Sequence, residues 1–282
     1  MHVLRRCAPA LVIFLSTATA QALAWAQPSH LTILEGSATL VRQSSKFGLT
    51  EGVRLQPADI VETGTASFAQ IELEDGVRLG LGANTRVMLA PAGRGLGDAR
   101  LYLLQGWLKV TQPGNKPAVG EVVTPRVAAS SLLGSSVIVT DPAQFSVFVE
   151  GGSVRSAERD GAEAPLLLKS GDFASRLAGE KLALAKRPAA EFLDKMPRQF
   201  RDPLPARAAL FKDKDIPPRA QGEVSYDAVA AWLQAEPAIR LPLLERWRGR
   251  LKDRAFRAGV IANFSRHPEW RPVVFPPPPP PP

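Results

Sequence analysis

Apolar and polar residues alternate in short runs between Leu31 and Leu184, and glycine or Asn/Asp turns separate the runs. In one example the alternating run from Ala69 to Leu73 precedes Asp75-Gly76, and a second run from Val77 to Leu81 follows it. Period-two alternation around Asp-Gly predicts a β-hairpin whose apolar residues share one face. Repetition of this pattern predicts an all-β domain, and the lack of intervening long amphipathic helices argues against a doubly wound α/β enzyme.

The pattern changes at Lys186, where prolines and then helical spacing replace the alternation. The Pro-rich stretch from Pro197 to Pro218 predicts a tether, and Ser225 has the character of a helix N-cap. Three apolar faces at helical spacing follow: Val229, Trp232 and Leu233; Leu244, Trp247 and Leu251; and Phe256, Val260, Ile261 and Phe264. We therefore expect a small α-helical segment after the β domain.

The first residues have the order of a cleavable secretory signal. Arg5 and Arg6 precede a short apolar run, and small residues with Ala-x-Ala sites follow. The run is too short to cross a bilayer, and we expect cleavage after Ala26, with Ala18-Thr19-Ala20 as the competing site. The only cysteine, Cys7, lies inside the predicted signal, so we expect no disulfide in the mature chain. A periplasmic or secreted location follows from this interpretation.

These patterns divide the chain into five predicted parts. They are a signal peptide at 1–26, an all-β domain at 27–185, a Pro-rich linker with a short helix at 186–222, a small helical segment at 223–270, and a Pro-rich tail at 271–282. The β domain is expected to fold alone.

Positive charge is concentrated in the C-terminal part. Residues 27–185 contain 15 Lys and Arg against 16 Asp and Glu, whereas residues 186–282 contain 18 against 11. An exported basic segment is better suited to anionic lipid, cell-wall polymer or an acidic protein face than to nucleic acid, although a solvated helical face is an equally good interpretation. The candidate basic contact surface comprises Arg246, Arg248, Arg250, Lys252, Arg254 and Arg257.

Residues for metal or nucleophilic chemistry are sparse. The three histidines, His2, His30 and His267, are far apart in sequence and no mature cysteine accompanies them, so we expect neither metal nor cofactor. A Ser-His-Asp triad would need a histidine from outside the β core, and no Gly-x-Ser-x-Gly elbow occurs. Carboxylate chemistry stays open, since four side chains could converge: Glu62, Glu72, Glu74 and Asp75. Glu72 and Glu74 are expected on a solvent face, so the chain is predicted not to be an enzyme.

Ordered turn motifs run through the β region. An Asp-x-Val-x-Thr-Gly step, an Asp-Gly hairpin, an Asn-Thr turn, a strand with an internal glycine, a Thr-Pro step and three further glycine steps occur in sequence. With these motifs the stretch from Leu31 to Leu184 resembles the periplasmic domain of the FecR family, the iron-citrate sensor type. The motif residues, which we expect to shape the backbone, are Asp59, Thr63, Gly64, Asp75, Gly76, Asn84, Gly106, Thr124, Pro125, Gly134, Gly151 and Gly171.

The resemblance implies a two-layered, solenoid-like β fold that works by contact with another protein. In the best-known members the partner is the signalling domain of an outer-membrane transporter, and a membrane helix passes the contact to an anti-sigma segment. Here a predicted signal peptide stands in the place of both. We therefore expect an envelope binding or sensing module. The alternative is a peptidoglycan- or polysaccharide-associated protein, or a weak carboxylate hydrolase, in which tryptophans stack on sugars: Trp107, Trp232, Trp247 and Trp270.

Overall fold

The computed structural model describes residues 29–73, 75–91, 96–117, 120–161, 163–185 and 187–277. The predicted signal peptide, Glu74, Lys186 and residues 278–282 lie outside these residues. The predicted Pro-rich tail begins with a short helix, Arg271–Val274, whose Val274 is buried, so its first residues belong to the folded part of the chain. Signal cleavage and the Pro-rich character of the chain end therefore stay predictions.

Strands dominate the chain from residue 29 to residue 185, which confirms the predicted mainly β fold. In chain order they are β1 Ser29–Glu35, β2 Ala38–Arg42, β3 Ser45–Gly48, β4 Arg54–Leu55, β5 Ile60–Thr63, β6 Phe68–Glu72, β7 Arg78–Leu81, β8 Arg86–Leu89, β9 Ala99–Gln112, β10 Glu121–Val123, β11 Val127–Thr140, β12 Gln144–Glu158, β13 Leu166–Lys169, β14 Phe173–Leu177, β15 Ala183–Ala185 and, beyond the β region, β16 Arg219–Glu223.

Helices follow the β region. They are α1 Ala190–Lys195, α2 Tyr226–Leu233, α3 Pro237–Trp247, α4 Arg254–Ala262 and α5 Arg271–Val274, and 3₁₀ turns occur at Arg198–Phe200, Ala208–Phe211, Arg248–Lys252 and Pro268–Trp270. Ser225 caps α2 as predicted, because its hydroxyl accepts from the Ala228 N–H at 3.3 Å.

All strands belong to one sheet, whose main path runs β15-β14-β12-β11-β10-β9-β8-β5-β2-β3-β16. The long strand β9 pairs with β8 through its first half and with β7 through its second half. Gly106 separates the two halves at a φ of +102°, a backbone conformation that side chains with a Cβ disfavour. The sheet bends there, and its two arms face each other.

The space between the two arms is the main hydrophobic core. Val87 and Leu89 of β8 and Leu79 and Leu81 of β7 are all buried in it. The predicted hairpin is confirmed, since Ile71 of β6 lies opposite Leu79 and both side chains point into this core. The period-two pattern thus identified the inward face correctly.

Residues 187–218, here called the strap, pack along the outer face of one arm. Phe192, Phe200 and Leu204 of the strap form a second core with Phe68 of β6 and Val137 of β11. The stretch predicted to be a tether therefore lies in contact with the sheet. Its prolines end helices, but they do not free the chain from the sheet surface.

The helices α2–α5 cover the outer face of the other arm. Val229, Trp232 and Trp247 share a third core with Ile60 of β5 and Tyr102 of β9. Strand β16, which links the strap to α2, pairs with β3 at the end of the sheet. The C-terminal part of the chain thus contacts both outer faces of the β region.

Candidate interaction surface

Several of the predicted turn residues meet around Thr85. The Thr63 hydroxyl donates to the Gly82 carbonyl at 2.6 Å and accepts from the Thr85 N–H at 2.9 Å. The Asn84 N–H donates to the Gly64 carbonyl at 3.0 Å, and the Trp107 N–H donates to the Thr85 hydroxyl at 3.0 Å. Thr85, the second residue of the predicted Asn-Thr turn, is fully buried and joins these turns.

Gly106 also belongs to this group of turns, because its backbone lies close to Thr85. A Cβ at this position would lie 2.4 Å from the Thr85 Oγ1 and 2.5 Å from the Thr85 Cα. Since one contact is to backbone, the strand could not bend here with a larger residue. The role of this motif residue is to bring two turns together.

Asp59 closes the turn that precedes β5. Its carboxylate is 1% exposed and accepts from the Arg42 Nε at 2.9 Å and the Gln56 N–H at 2.8 Å. Ala58, the residue before Asp59, has a φ of +63°, a conformation that favours glycine. Asp59 is used internally and is not available to a ligand.

The remaining motif residues also serve turns and bends. Thr124 accepts from the Val127 N–H at 3.0 Å beside Pro125, and Gly134 packs against Gly151 where β11 and β12 bend together. Asp75 and Gly76 make the β6–β7 turn, and Gly171 precedes β14. The structure does not gather the motif residues into one solvent-facing site.

The predicted basic contact surface is divided by the fold. The Arg246 guanidinium donates to the carbonyls of Val41, Gln43 and Ala58 at 2.7 to 3.0 Å, and burial lowers its pKa. Arg250 contacts the Val224 carbonyl and Glu223. These two residues bind the helices to the rest of the fold, which corrects their expected role as free contacts.

The other members of that surface differ in exposure. Arg257 donates to the Val274 carbonyl at 3.3 Å, whereas Arg248, Lys252 and Arg254 are exposed. Binding of anionic lipid or cell-wall polymer by the exposed three stays a prediction.

The candidate carboxylates face different parts of the molecule. Glu62 accepts from the Trp232 indole N–H at 2.8 Å in the helical layer, and Asp75 pairs with Arg100 at 2.7 Å. Glu72 is 3% exposed and accepts from the Ala208 N–H at 2.6 Å. The expectation of a solvent-facing Glu72 was wrong, because the strap covers this face of β6. Glu74 lies outside the described residues.

Trp107 differs from the other three candidate tryptophans. Trp232, Trp247 and Trp270 are fully buried, so they cannot stack on an external sugar. Trp107 is half-buried and packs against Phe192 at 5.1 Å between ring centroids. It lines a cleft of about 470 Å³ together with Ser67, Asn84, Lys195, Pro197 and Gln199. This cleft combines an aromatic ring with hydroxyl and amide side chains.

A second cleft lies where β9 meets the helical layer. Its volume is about 290 Å³, and Tyr102, Gln105, Arg126, Gln234 and Glu236 contribute to its lining. Burial and the nearby Glu236 carboxylate raise the pKa of Tyr102 far above its usual value, so this phenol stays protonated. The cleft thus lies at the boundary between the sheet and the helical layer, and both a basic and an acidic side chain, Arg126 and Glu236, line it.

The described part of the chain has neither a bilayer-spanning helix nor a cluster of metal ligands. None of its helices has the length and apolar composition needed to cross a bilayer. Among the same residues, no three or more His, Cys, Asp or Glu side chains lie together as metal ligands would.

The two ends of the sheet path differ in composition. At one end every residue of β16 is exposed, and the register shifts between Ala220 and Gly222. At the other end β15 pairs only with β14 among the described strands, and Leu184 at its centre is 58% exposed. An irregular polar edge resists strand addition, and an apolar edge invites it. The β15 end is therefore the candidate interaction surface.

The motif residues of the β region thus build turns and bends, and its sheet ends in an open apolar strand. Residues 59–155 match the family model described as FecR protein. Over these residues the chain carries a FecR-family domain, which indicates a sensing or regulatory domain.

Solved structures give a more distant similarity. Two crystal structures of a candidate anti-sigma factor from Parabacteroides distasonis ATCC 8503, at 2.50 and 1.65 Å resolution, are 17% and 16% identical, each with a TM-score of 0.37. The alignments cover 48% of this chain and 64% and 62% of those chains, which is less than two thirds of their length. No curated protein matches the sequence.

Proposed function

We propose that this protein is exported to the cell envelope, where it senses or regulates by contact with a protein partner. One observation carries the proposal. The motif residues shape turns and bends of the backbone, whereas the free edge of β15 and the exposed Leu184 are open to a partner. A domain built in this way offers main-chain hydrogen bonds and an apolar contact to another protein. The order of charge and apolar residues in 1–26 supports export.

Export is tested by expressing the chain with its own signal and analysing the periplasmic fraction. We expect a mature protein that starts at Gln27 and carries no acyl chain, as measured by intact mass and N-terminal sequencing. A mature mass that still includes Arg5 and Arg6 would contradict this part of the proposal.

Partner contact is tested by cross-linked capture from envelope extract with the mature chain as bait. We expect one stoichiometric envelope protein, which must then bind the purified chain when it is itself purified. The control is capture from cytoplasmic extract. If the purified proteins do not bind each other, the proposal fails.

Polysaccharide binding is the second candidate, because the cleft at Trp107 has an aromatic ring beside Asn84 and Gln199. Sedimentation with purified peptidoglycan tests it. Under this candidate Trp107→Phe weakens sedimentation, whereas Trp232→Phe, at a fully buried position, leaves it unchanged at equal folded protein. Lack of sedimentation by the unmodified chain would eliminate this candidate.

A further inference from the structure

The exposed Leu184 continues a row of core residues across the sheet. Leu108 of β9 lies opposite Ile138 of β11, which lies opposite Val147 of β12. Val147 lies opposite Ala174 of β14, and Ala174 opposite Leu184 of β15. The first four are fully buried and Leu184 is 58% exposed. The apolar face of the sheet therefore continues as far as its edge strand, where the last residue of the row is apolar and exposed.

The backbone of β15 also lacks the features that protect sheet edges. Ala183 and Ala185 flank Leu184, so no charged side chain interrupts the strand. Natural edges are protected by inward charges, proline or bulges, and β16 at the opposite end has both charged residues and a register shift. Within the strand itself, Ala183–Ala185, shortness is the protective feature that β15 retains, and its charges lie outside the strand.

The charges that flank β15 select the kind of segment it can accept. Residues 180–187 contain three basic residues and one acidic residue. Lys181 on one side is 76% exposed beside Glu163, and Arg187 on the other side is exposed. Two copies of this chain would bring the same basic segments together and repel, so a second copy is a poor occupant. An acidic segment is complementary.

We propose that β15 accepts an added strand from a different protein, an extended segment with alternating apolar residues and Asp or Glu at its ends. Main-chain hydrogen bonds to β15 would hold the segment, Leu184 would pack against one of its apolar side chains, and Lys181 and Arg187 would contact its acidic ends. This inference rests on the proposed function, since it names the part of the partner that the β15 end recognises.

The test is selection from a displayed library of random short peptides on the folded mature chain. We expect enriched peptides to alternate apolar residues, to carry flanking Asp or Glu, and to lack central proline. The enriched peptides are then synthesised and their Kd is measured by fluorescence polarisation. Enrichment of basic or proline-centred peptides would overturn the proposal, and so would the absence of enrichment.

Matched variants locate the binding. Leu184→Asp should weaken the selected peptides by about tenfold or more, which is about 1.4 kcal/mol. Leu210→Asp is the control, because Leu210 is equally exposed at 56% but lies on the strap. Both changes are at exposed positions, and circular dichroism checks that both variants fold. Equal binding by the two variants would place the peptide elsewhere and overturn the proposal.

Charge and self-association give two further readouts. Lys181→Glu with Arg187→Glu should weaken acidic peptides and remove the salt dependence of their Kd. Sedimentation equilibrium should show a monomer; a dimer that Leu184→Asp dissociates would show that a second copy occupies the edge and would overturn the proposal. If envelope capture succeeds while Leu184→Asp binds the captured partner normally, this inference fails and the proposed function stands.

Discussion

At the residue scale, two cations, Lys109 and Arg246, bind backbone carbonyls from distant parts of the chain. The Lys109 ammonium is buried, pairs with Glu150 at 2.8 Å and donates to the Phe200 carbonyl of the strap at 2.5 Å. Arg246 reaches three carbonyls of the β region from α3. Burying these charged groups costs little free energy while all their hydrogen bonds are made. Removing one partner leaves a buried group unpaired and destabilises the fold strongly.

Arg246→Gln tests this on the helical layer. A glutamine cannot donate to all three carbonyls, so we expect the free energy of unfolding to fall by about 2 kcal/mol or more. Arg248→Gln is the control, because Arg248 is 63% exposed and its ion pair is with the exposed Glu245; we expect a change below about 0.5 kcal/mol. Urea denaturation measures both, and equal losses would contradict the assigned role of Arg246.

His267 predicts a dependence of stability on pH. It is buried, its Nε2 lies 2.9 Å from the Tyr226 hydroxyl, and it lies near Trp270 and the Arg240–Glu269 ion pair. Burial lowers its pKa, so the folded state favours the neutral ring. The free energy of unfolding should therefore be unaffected by this group above the unfolded pKa of about 6.5, and should fall as the pH goes below it.

The measurement is urea denaturation of the unmodified chain and His267→Gln at a series of pH values from neutral to mildly acidic. In the unmodified chain the free energy of unfolding should begin to fall within about half a pH unit of 6.5. The variant should lack this part of the fall. His30→Gln is the control and should keep it. If the slope is the same in all three proteins, His267 is not responsible.

At the element scale, the strap acts as a cover for one arm of the sheet. It supplies the apolar residues Phe200 and Leu204 and the N–H groups of Arg207 and Ala208, which donate to Glu72 at 2.6 to 3.0 Å. Because Glu72 is buried under the strap, the carboxylate and the strap depend on each other. A local change at β6 should therefore loosen a segment distant in sequence.

Glu72→Ala tests the dependence. We expect a loss of about 2 kcal/mol in the free energy of unfolding, since two strap N–H groups lose their acceptor, together with faster proteolysis within 197–218. Limited proteolysis followed by mass spectrometry locates the cut, and the exposed Glu180→Ala is the control. An unchanged cleavage rate would show that the strap stays in place without Glu72.

At the scale of the whole molecule, the C-terminal part shares cores with both arms of the sheet. The helical layer covers Ile60 and Tyr102, and the strap covers Phe68 and Val137. Residues 29–185 alone would expose these side chains to water, so the structure favours one cooperative unit over a self-sufficient β domain on a tether.

Cooperativity predicts one unfolding transition. Three of the tryptophans are in the helical layer, so their fluorescence reports mainly on the helices, while circular dichroism includes the sheet. Urea titrations by the two probes should coincide, and a chain that ends at residue 185 should aggregate or give no cooperative transition. Separate midpoints, or a soluble two-state β fragment, would support the tether.

Local patterns determined the strands, their inward faces, the Asp75-Gly76 hairpin and the Ser225 cap, because alternation, turn residues and capping act between neighbours in the sequence. Tertiary structure alone decided which outer faces are covered. The sequence shows Glu72 as a polar residue of an alternating strand and Arg246 as one of several helical cations. Only contacts across more than a hundred residues bury them, and no local pattern encodes such contacts. The exposure of Leu184 could not be predicted for the same reason. Its place in the alternating pattern is that of a core residue, and it is exposed because β15 lies at the end of the sheet.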